Sequence, residues 1–383
     1  MKDVIFKIVN KSINLFKKTL FWRKGEFNCQ PQKILIVTEY LGDTIVSSLL
    51  INNLKHNFPE SEISLQCRPE SCEIAKFIDS VSNVYGINIP IGLKNGVKSD
   101  RIFKILKYIL ANFNKNDVII NVGGAKYTPM LLLMGNYLVE FTWKHGIIPD
   151  TLADKKILRK NGENICESQN TLLLQLGLKT YFKKPEIKIP KKYIEMVKHK
   201  LNFVEFNKNI VIVVHPISAS IYRNWPYAYW NTLISEIIKD FPEVKILIGG
   251  SKNDYPAISK YIKCDNKNTF NIAGSLPLLE YFTVIKMSSL LITVDTSAAH
   301  AGAAMNKEMI AIYSGNHAGD WDPFTENKIL FRDTSCKKYP CHLLDTGLKG
   351  PGNCPYGYPS KCMCAIPPET VYPQIKKILN FNK

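Results

Sequence analysis

From residue 33 onward the chain alternates apolar runs of strand length with amphipathic runs of helix length, in two separate series. No other feature narrows the fold as much. In the first series, strands are predicted at 33–38, 62–67, 84–88 and 117–122, with helices near 44–57, 70–78 and 99–113. In the second, strands fall at 210–214, 245–248, 291–294 and 309–313, with helices near 227–239 and 297–305. Strand, helix and strand at this spacing make right-handed crossovers and a parallel sheet. Two series predict an α/β chain of two Rossmann-like, doubly wound domains facing each other across a cleft. Its 383 residues exceed one ordinary core and suffice for two.

Domain boundaries follow from the lysine-rich stretch 181–209, which carries Pro185 and Pro190 between the series. Its early part reads as a linker and its later part as a helix opening the second half. The first domain is expected at 31–185 and the second at 186–365, with a cysteine-rich loop at 336–364 and a last helix at 366–383. Residues 1–30 read as a basic amphipathic helix. Ile5, Val9, Ile13, Phe16 and Leu20 share one face, and Lys7, Lys11 and Lys18 the other. Such a helix either lies on an anionic membrane surface or packs on the protein's own core.

A formal net charge of +17 suits anionic partners, although an AT-rich genome accounts for part of the lysine. Nucleic acid is not expected: the lysines are dispersed and no recognition motif with interleaved aromatics is present. No secretory leader or eighteen-residue apolar run is visible, which points to the cytoplasm and to free thiols at Cys67, Cys72 and Cys264.

Ligands in doubly wound sheets sit at the carboxyl ends of strands, so the loops there carry the chemistry. "LLITVDTSAAHAGAAM", 290–305, ends a strand at Val294, turns through Asp295, Thr296 and Ser297, and starts a helix of small residues around His300. A helix start with hydroxyls and free N–H groups binds phosphate, and small side chains let a ligand approach; Asp295 and Thr296 as plain caps are the structural alternative. "VVHPISASIYRNWP", 213–226, offers Ser218 and Ser220 as phosphate donors and Arg223 to neutralise a diphosphate. "LIGGSKNDY", 247–255, puts Asp254 where a ribose or base contact would lie. These three loops share one half and predict one nucleotide site. In the other half, "TEYLGDTIVSS", 38–48, fits neither G-x-G-x-x-G nor a P-loop. Its Asp43 can be a general base, or simply a helix N-cap; in either role the helix dipole would favour the ionised form.

These segments together, with "SQNTLLLQLGLKTYFKKPEIKIP" between them, resemble glycosyltransferase family 9, the bacterial heptosyltransferases, over about residues 33–373. The resemblance implies a GT-B fold whose last helix crosses back to the first domain. It implies an inverting, metal-independent transfer from an ADP-heptose donor. Asp43 matches the family's proposed base, and Arg223 stands where a basic residue, usually lysine, steadies the leaving diphosphate. Asp295, Thr296, Ser297 and His300 match the donor-binding turn; Ser218, Ser220 and Asp254 match donor contacts more loosely. Thr296-Ser297 replaces the common Thr-Gly, and "SGNHAGDWDPF", 314–324, departs from the usual loop, so the donor could carry a different sugar.

Cys336, Cys341, Cys354, Cys362 and Cys364 form the pattern C-x4-C-x12-C-x7-C-x-C in a Gly- and Pro-rich loop. Four thiolates could hold structural zinc or iron, free thiols or a disulfide are alternatives, and the spacing matches no standard knuckle. Some autotransporter-modifying members of the resembling family hold iron in this region.

The function expected is therefore heptose transfer from ADP-heptose to a lipopolysaccharide-core or related surface-glycan acceptor, at the inner face of the bacterial inner membrane. A protein O-heptosyltransferase, a transferase for another sugar nucleotide, and a non-catalytic nucleotide-sugar-binding or nucleic-acid-binding protein are the rivals.

Overall fold

The computed structural model describes residues 27, 30–87, 99–124, 127–143, 153–160, 162–342 and 354–381. The helix expected within 1–30 lies outside the described residues. Two compact units are present, one up to Glu186 and one from Ile187. No helix among the described residues is long and apolar enough to cross a membrane.

The first unit is built on six strands: β1 Lys33–Val37, β2 Glu62–Cys67, β3 Asn83–Gly86, β4 Asn116–Asn121, β5 Gly135–Trp143 and β6 Lys155–Arg159. Their order is β3-β2-β1-β4-β5-β6 and every pairing is parallel. Central β1, "KILIV", buries four of its five residues, the unbroken apolar pattern of a strand covered on both faces. Ile36 pairs with Leu65 on one side and Ile120 on the other. The chain winds outward from β1 in one direction, then returns to β4 and winds the other way. The loops after β1 and β4 therefore part at the switch point, where such sheets hold ligands.

The second unit repeats this plan with β7 Val211–His215, β8 Lys245–Ile248, β9 Thr269–Asn271, β10 Leu290–Val294, β11 Met309–Tyr313 and β12 Lys328–Arg332. The order β12-β11-β10-β7-β8-β9 makes β7 the counterpart of β1 and places the switch point between β7 and β10. Trp225 and Trp230 are fully buried, edge to face at 4.9 Å, against a core that includes Ile212, Val214 and Ile292. The last helix, Pro368–Phe381, adds Val371, Ile375 and Leu379 to that core. Its Tyr372 and Lys376 both donate to Asp240 at 2.6 Å.

Strands β5, β6, β9 and β12 and the helices Ile165–Gln175 and Leu278–Met287 are absent from the sequence expectation. Three of those strands lie at sheet edges or are half-exposed, and β9 has only three residues, so no apolar run marks them. The helix expected near 44–57 begins earlier, at Leu41, and is divided at Ser47 into Leu41–Val46 and Ser48–Asn57.

Candidate active site

In the first unit the loop after β1 delivers Asp43. The earlier helix start changes its local role. Asp43 is the third helical residue rather than the N-cap, and its Oδ2 accepts the Tyr40 N–H at 3.0 Å. The carboxylate thus satisfies a donor that the helix start would leave unpaired. Burial pushes its pKa from the usual 3.8 up to about 6, and nearby Glu39 adds to the rise. The Tyr40 N–H, Arg159 and Arg68 pull the other way and do not prevail. The helix dipole was expected to favour the ionised form; desolvation outweighs it and the net shift is upward, although the group stays mostly ionised at neutral pH. A carboxyl with a pKa near 6 is still mostly ionised at neutral pH, as a proton acceptor must be, and is more basic than an ordinary carboxylate.

Other polar groups at this end of the first sheet were not anticipated. Arg68 pairs with Glu39 at 2.7 Å and lies 4.3 Å over the Tyr40 ring. Glu140 on β5, 1% exposed, accepts Asn121 Nδ2 at 2.9 and 3.0 Å and the Thr128 hydroxyl at 3.0 Å. Burial raises the Glu140 pKa to about 7. Gly123 closes this end: a Cβ there would sit 2.9 Å from the Thr38 carbonyl carbon. Pairing of β1 with β2 brings Arg68 to Glu39, and pairing of β4 with β1 and β5 brings Glu140 to Asn121 at this end of the sheet, so sequence spacing gave no signal for them.

In the second unit the loops after β7, β10 and β11 converge. Arg223, from the loop after β7, donates to Asp295 Oδ2 at 3.1 Å, and Asp295 follows β10 directly. The ion pair spans the switch point. The hydroxyls of Ser218 and Ser220 are buried, 8% and 6% exposed as residues, and neither has a hydrogen-bond partner among the described residues. The same is true of Arg223 Nε and, at the end of β11, of the hydroxyls of Tyr313 and Ser314. Buried polar groups are normally paired. Unpaired donors in the loop that carries Arg223 and at the end of β11 are candidate contacts for an anionic, oxygen-rich ligand. Tyr313 and Ser314 were missed in the sequence because an apolar strand end carries no motif.

Thr296 caps the helix Ser297–Ala304 by accepting the Ala298 N–H at 3.2 Å. The small residues of this helix also have a packing reason. A Cβ on Gly302 would lie 2.7 Å from Leu291 and 2.8 Å from Met309, so the helix sits unusually close to β10 and β11. His300 is buried, which lowers its pKa despite Asp295 and Asp322, and its ring centroid lies 6.2 Å from that of Trp321. On the far side of β7, His215 Nδ1 lies 2.7 Å from the Tyr281 hydroxyl, and burial lowers its pKa to about 4. The imidazole is neutral there. Asp254 holds its own turn, accepting the Ser251 N–H and hydroxyl at 2.7 Å each.

Cys336, Cys341, Cys354 and Cys362 line a single small pocket beside Gly315 and Asn316; Cys364 is not among its lining residues. The Gly315 N–H donates to Cys362 Sγ at 3.4 Å, and Ser360 anchors the loop by donating to the Tyr222 carbonyl at 2.8 Å. No three cysteine sulfurs among the described residues lie within 4.8 Å of one another, and none of the five is in a disulfide.

Residues 114–346, more than half of the chain, match the profile of Glycosyltransferase family 9 (heptosyltransferase). The chain is 24% identical over 294 residues to Lipopolysaccharide heptosyltransferase 3 of Escherichia coli, spanning 76% of this chain and 85% of that protein. Among solved structures it is similar to E. coli ADP-heptose lps heptosyltransferase II, with TM-score 0.72 and 15% identity over 91% of this chain and 99% of that one. It is also similar to TibC, the iron-containing dodecameric glycosyltransferase of enterotoxigenic E. coli H10407, with TM-score 0.56 and 10% identity over 92% and 78%. At such identities the structural likeness speaks for the fold, which is of the GT-B type.

Proposed function

The chain belongs to glycosyltransferase family 9, and from that premise we propose that it transfers a heptose from ADP-heptose to a lipopolysaccharide-core or related surface-glycan acceptor, inverting the anomeric carbon. The observation that carries the donor half is the set of buried, unpaired donors at Ser218 and Ser220, in the loop that carries Arg223, and at Tyr313 and Ser314, at the end of β11. A diphosphate supplies acceptors of the matching charge and number. The 24%-identical relative and the solved neighbours, whose names carry ADP-heptose and lipopolysaccharide, support the choice of sugar and acceptor.

In this reading the acceptor hydroxyl oxygen attacks the anomeric carbon from the face opposite the diphosphate. Its proton passes to Asp43 as the new C–O bond forms. The bond from the anomeric carbon to the phosphate oxygen breaks and ADP leaves with the electron pair. Arg223 and the N–H groups opening the helix Ser297–Ala304 meet the charge that grows on the leaving oxygen. Asp295 orients Arg223 through their ion pair, and Thr296, Ser297 and His300 shape the donor turn. Catalysis thus needs no metal ion. The four pocket cysteines line one pocket, but no three of their sulfurs converge, so a thiophilic ion such as zinc or iron would need the loop to close further around it; it would then clip the loop without taking part in transfer.

Thermal shift with ADP, UDP, GDP and CMP at equal concentration tests the donor site, since a ligand binding only the folded chain raises its stability. A rise with ADP alone is expected. A rise with UDP or GDP instead discards the heptose donor. Transfer from ADP-heptose to a lipid extract but not to purified polypeptide separates the glycan acceptor from a protein one.

A further inference from the structure

The geometry points to a divalent-cation site formed by His317, Asp320 and His342, separate from the cysteine pocket and outside the transfer chemistry. One ligand atom from each of the three lies within 4.8 Å of the others. Two imidazoles and a carboxylate, with further positions open, suit a first-row ion such as zinc or cobalt(II). Zinc with ligands at about 2.0–2.2 Å in tetrahedral array needs its ligand atoms about 3.4 Å apart. Closing the set by about an ångström is within reach of His342, whose side chain is exposed.

Three further observations support the assignment. Asp320 is 1% exposed, and its buried Oδ1 has no hydrogen-bond partner among the described residues. A carboxylate so placed calls for a cation. His342 has a left-handed backbone, φ +48°, which a non-glycine residue rarely adopts. It is held there by two bonds to the neighbouring loop: His342 N–H to the Asn316 carbonyl at 3.0 Å and Cys341 N–H to the Gly315 carbonyl at 3.2 Å. The result sets the His317 and His342 rings edge to face at 5.7 Å. Finally, the Asn316 side-chain amide lies 2.8 Å from His317 Nε2. With its oxygen turned to that nitrogen, the amide would accept the Nε2–H and hold the ring as metal-bound histidines are characteristically held.

The site would join two loops far apart in sequence. One, from the end of β11, carries Trp321 beside His300, and Asp322 in an ion pair with Arg332. The other opens the cysteine-rich segment. A bound ion would fix the first against the second.

Cobalt(II) titrated into the full chain after chelator treatment provides the test, because its visible bands separate nitrogen–oxygen ligation from thiolate ligation. The expected result is a visible d–d spectrum without a thiolate charge-transfer band at one equivalent. Cobalt affinity should fall at least tenfold in His342→Gln, whose exposed side chain leaves folding intact, and also in Asp320→Asn. It should be unchanged in Cys336→Ser. Absence of any cobalt signal dependent on His342 overturns the assignment. So does a spectrum dominated by thiolate charge transfer that survives His342→Gln and disappears in Cys336→Ser.

Discussion

Asp43→Asn should make the protein more stable and nearly inactive. The folded pKa of Asp43, about 6, lies above the usual 3.8, so the folded chain holds this proton more tightly than the unfolded chain does. The sign follows from linkage: this group favours folding most when protonated, its contribution falls as pH rises from about 4 through about 6, and above that the buried charge is a standing cost. At about 1.4 kcal/mol per pH unit, the gap amounts to about 3 kcal/mol at pH 8. Asparagine removes the charge while its Oδ1 can still accept the Tyr40 N–H, so that 3.0 Å hydrogen bond survives. We expect a gain of about 1–3 kcal/mol at pH 8 that shrinks towards zero near pH 4. Amide exchange in β1 and β4 reads the stability of this unit alone. Turnover should fall by about 10²–10⁴ with ADP binding unchanged. In the parent enzyme kcat/KM should rise with pH through about 6 and then level off. A variant less stable than the parent at pH 8, or an acid limb near 4, would refute the reasoning that desolvation governs Asp43.

Ser218→Ala and Ser220→Ala should leave stability within about 0.5 kcal/mol, because these hydroxyls have no partner to lose, yet weaken ADP binding about tenfold by calorimetry. Arg223→Gln should cost about 1–3 kcal/mol in urea unfolding, since Asp295 is left buried without its cation, and about 10²–10³ in kcat. In Gly249→Ala the new methyl would fall on the Tyr281 ring. That substitution should break the His215–Tyr281 hydrogen bond and lower stability by about 1–3 kcal/mol, measurable as a reduced melting temperature.

The sequence by itself determined the architecture and the donor turn. Both rest on local pattern. Central strands such as "KILIV" and "LLITV" are covered on both faces, so their residues are apolar without interruption and stand out in the chain. The turn Asp295-Thr296-Ser297 and its slim helix are contiguous, so spacing alone marks them. Edge strands β6 and β12 gave no such mark, because a half-exposed strand tolerates lysine and arginine. Only the tertiary structure decided the electrostatics. Asp43 looks from sequence like a cap whose pKa the dipole would lower, and burial raises it to about 6 instead. Arg223 and Asp295, 72 residues apart, become an ion pair because β7 and β10 are neighbours in the sheet. The unpaired hydroxyls of Tyr313 and Ser314, and the meeting of His317 with His342, arise in the same way. Desolvation and long-range pairing depend on what the rest of the chain places around a residue, and neighbours in sequence do not record it.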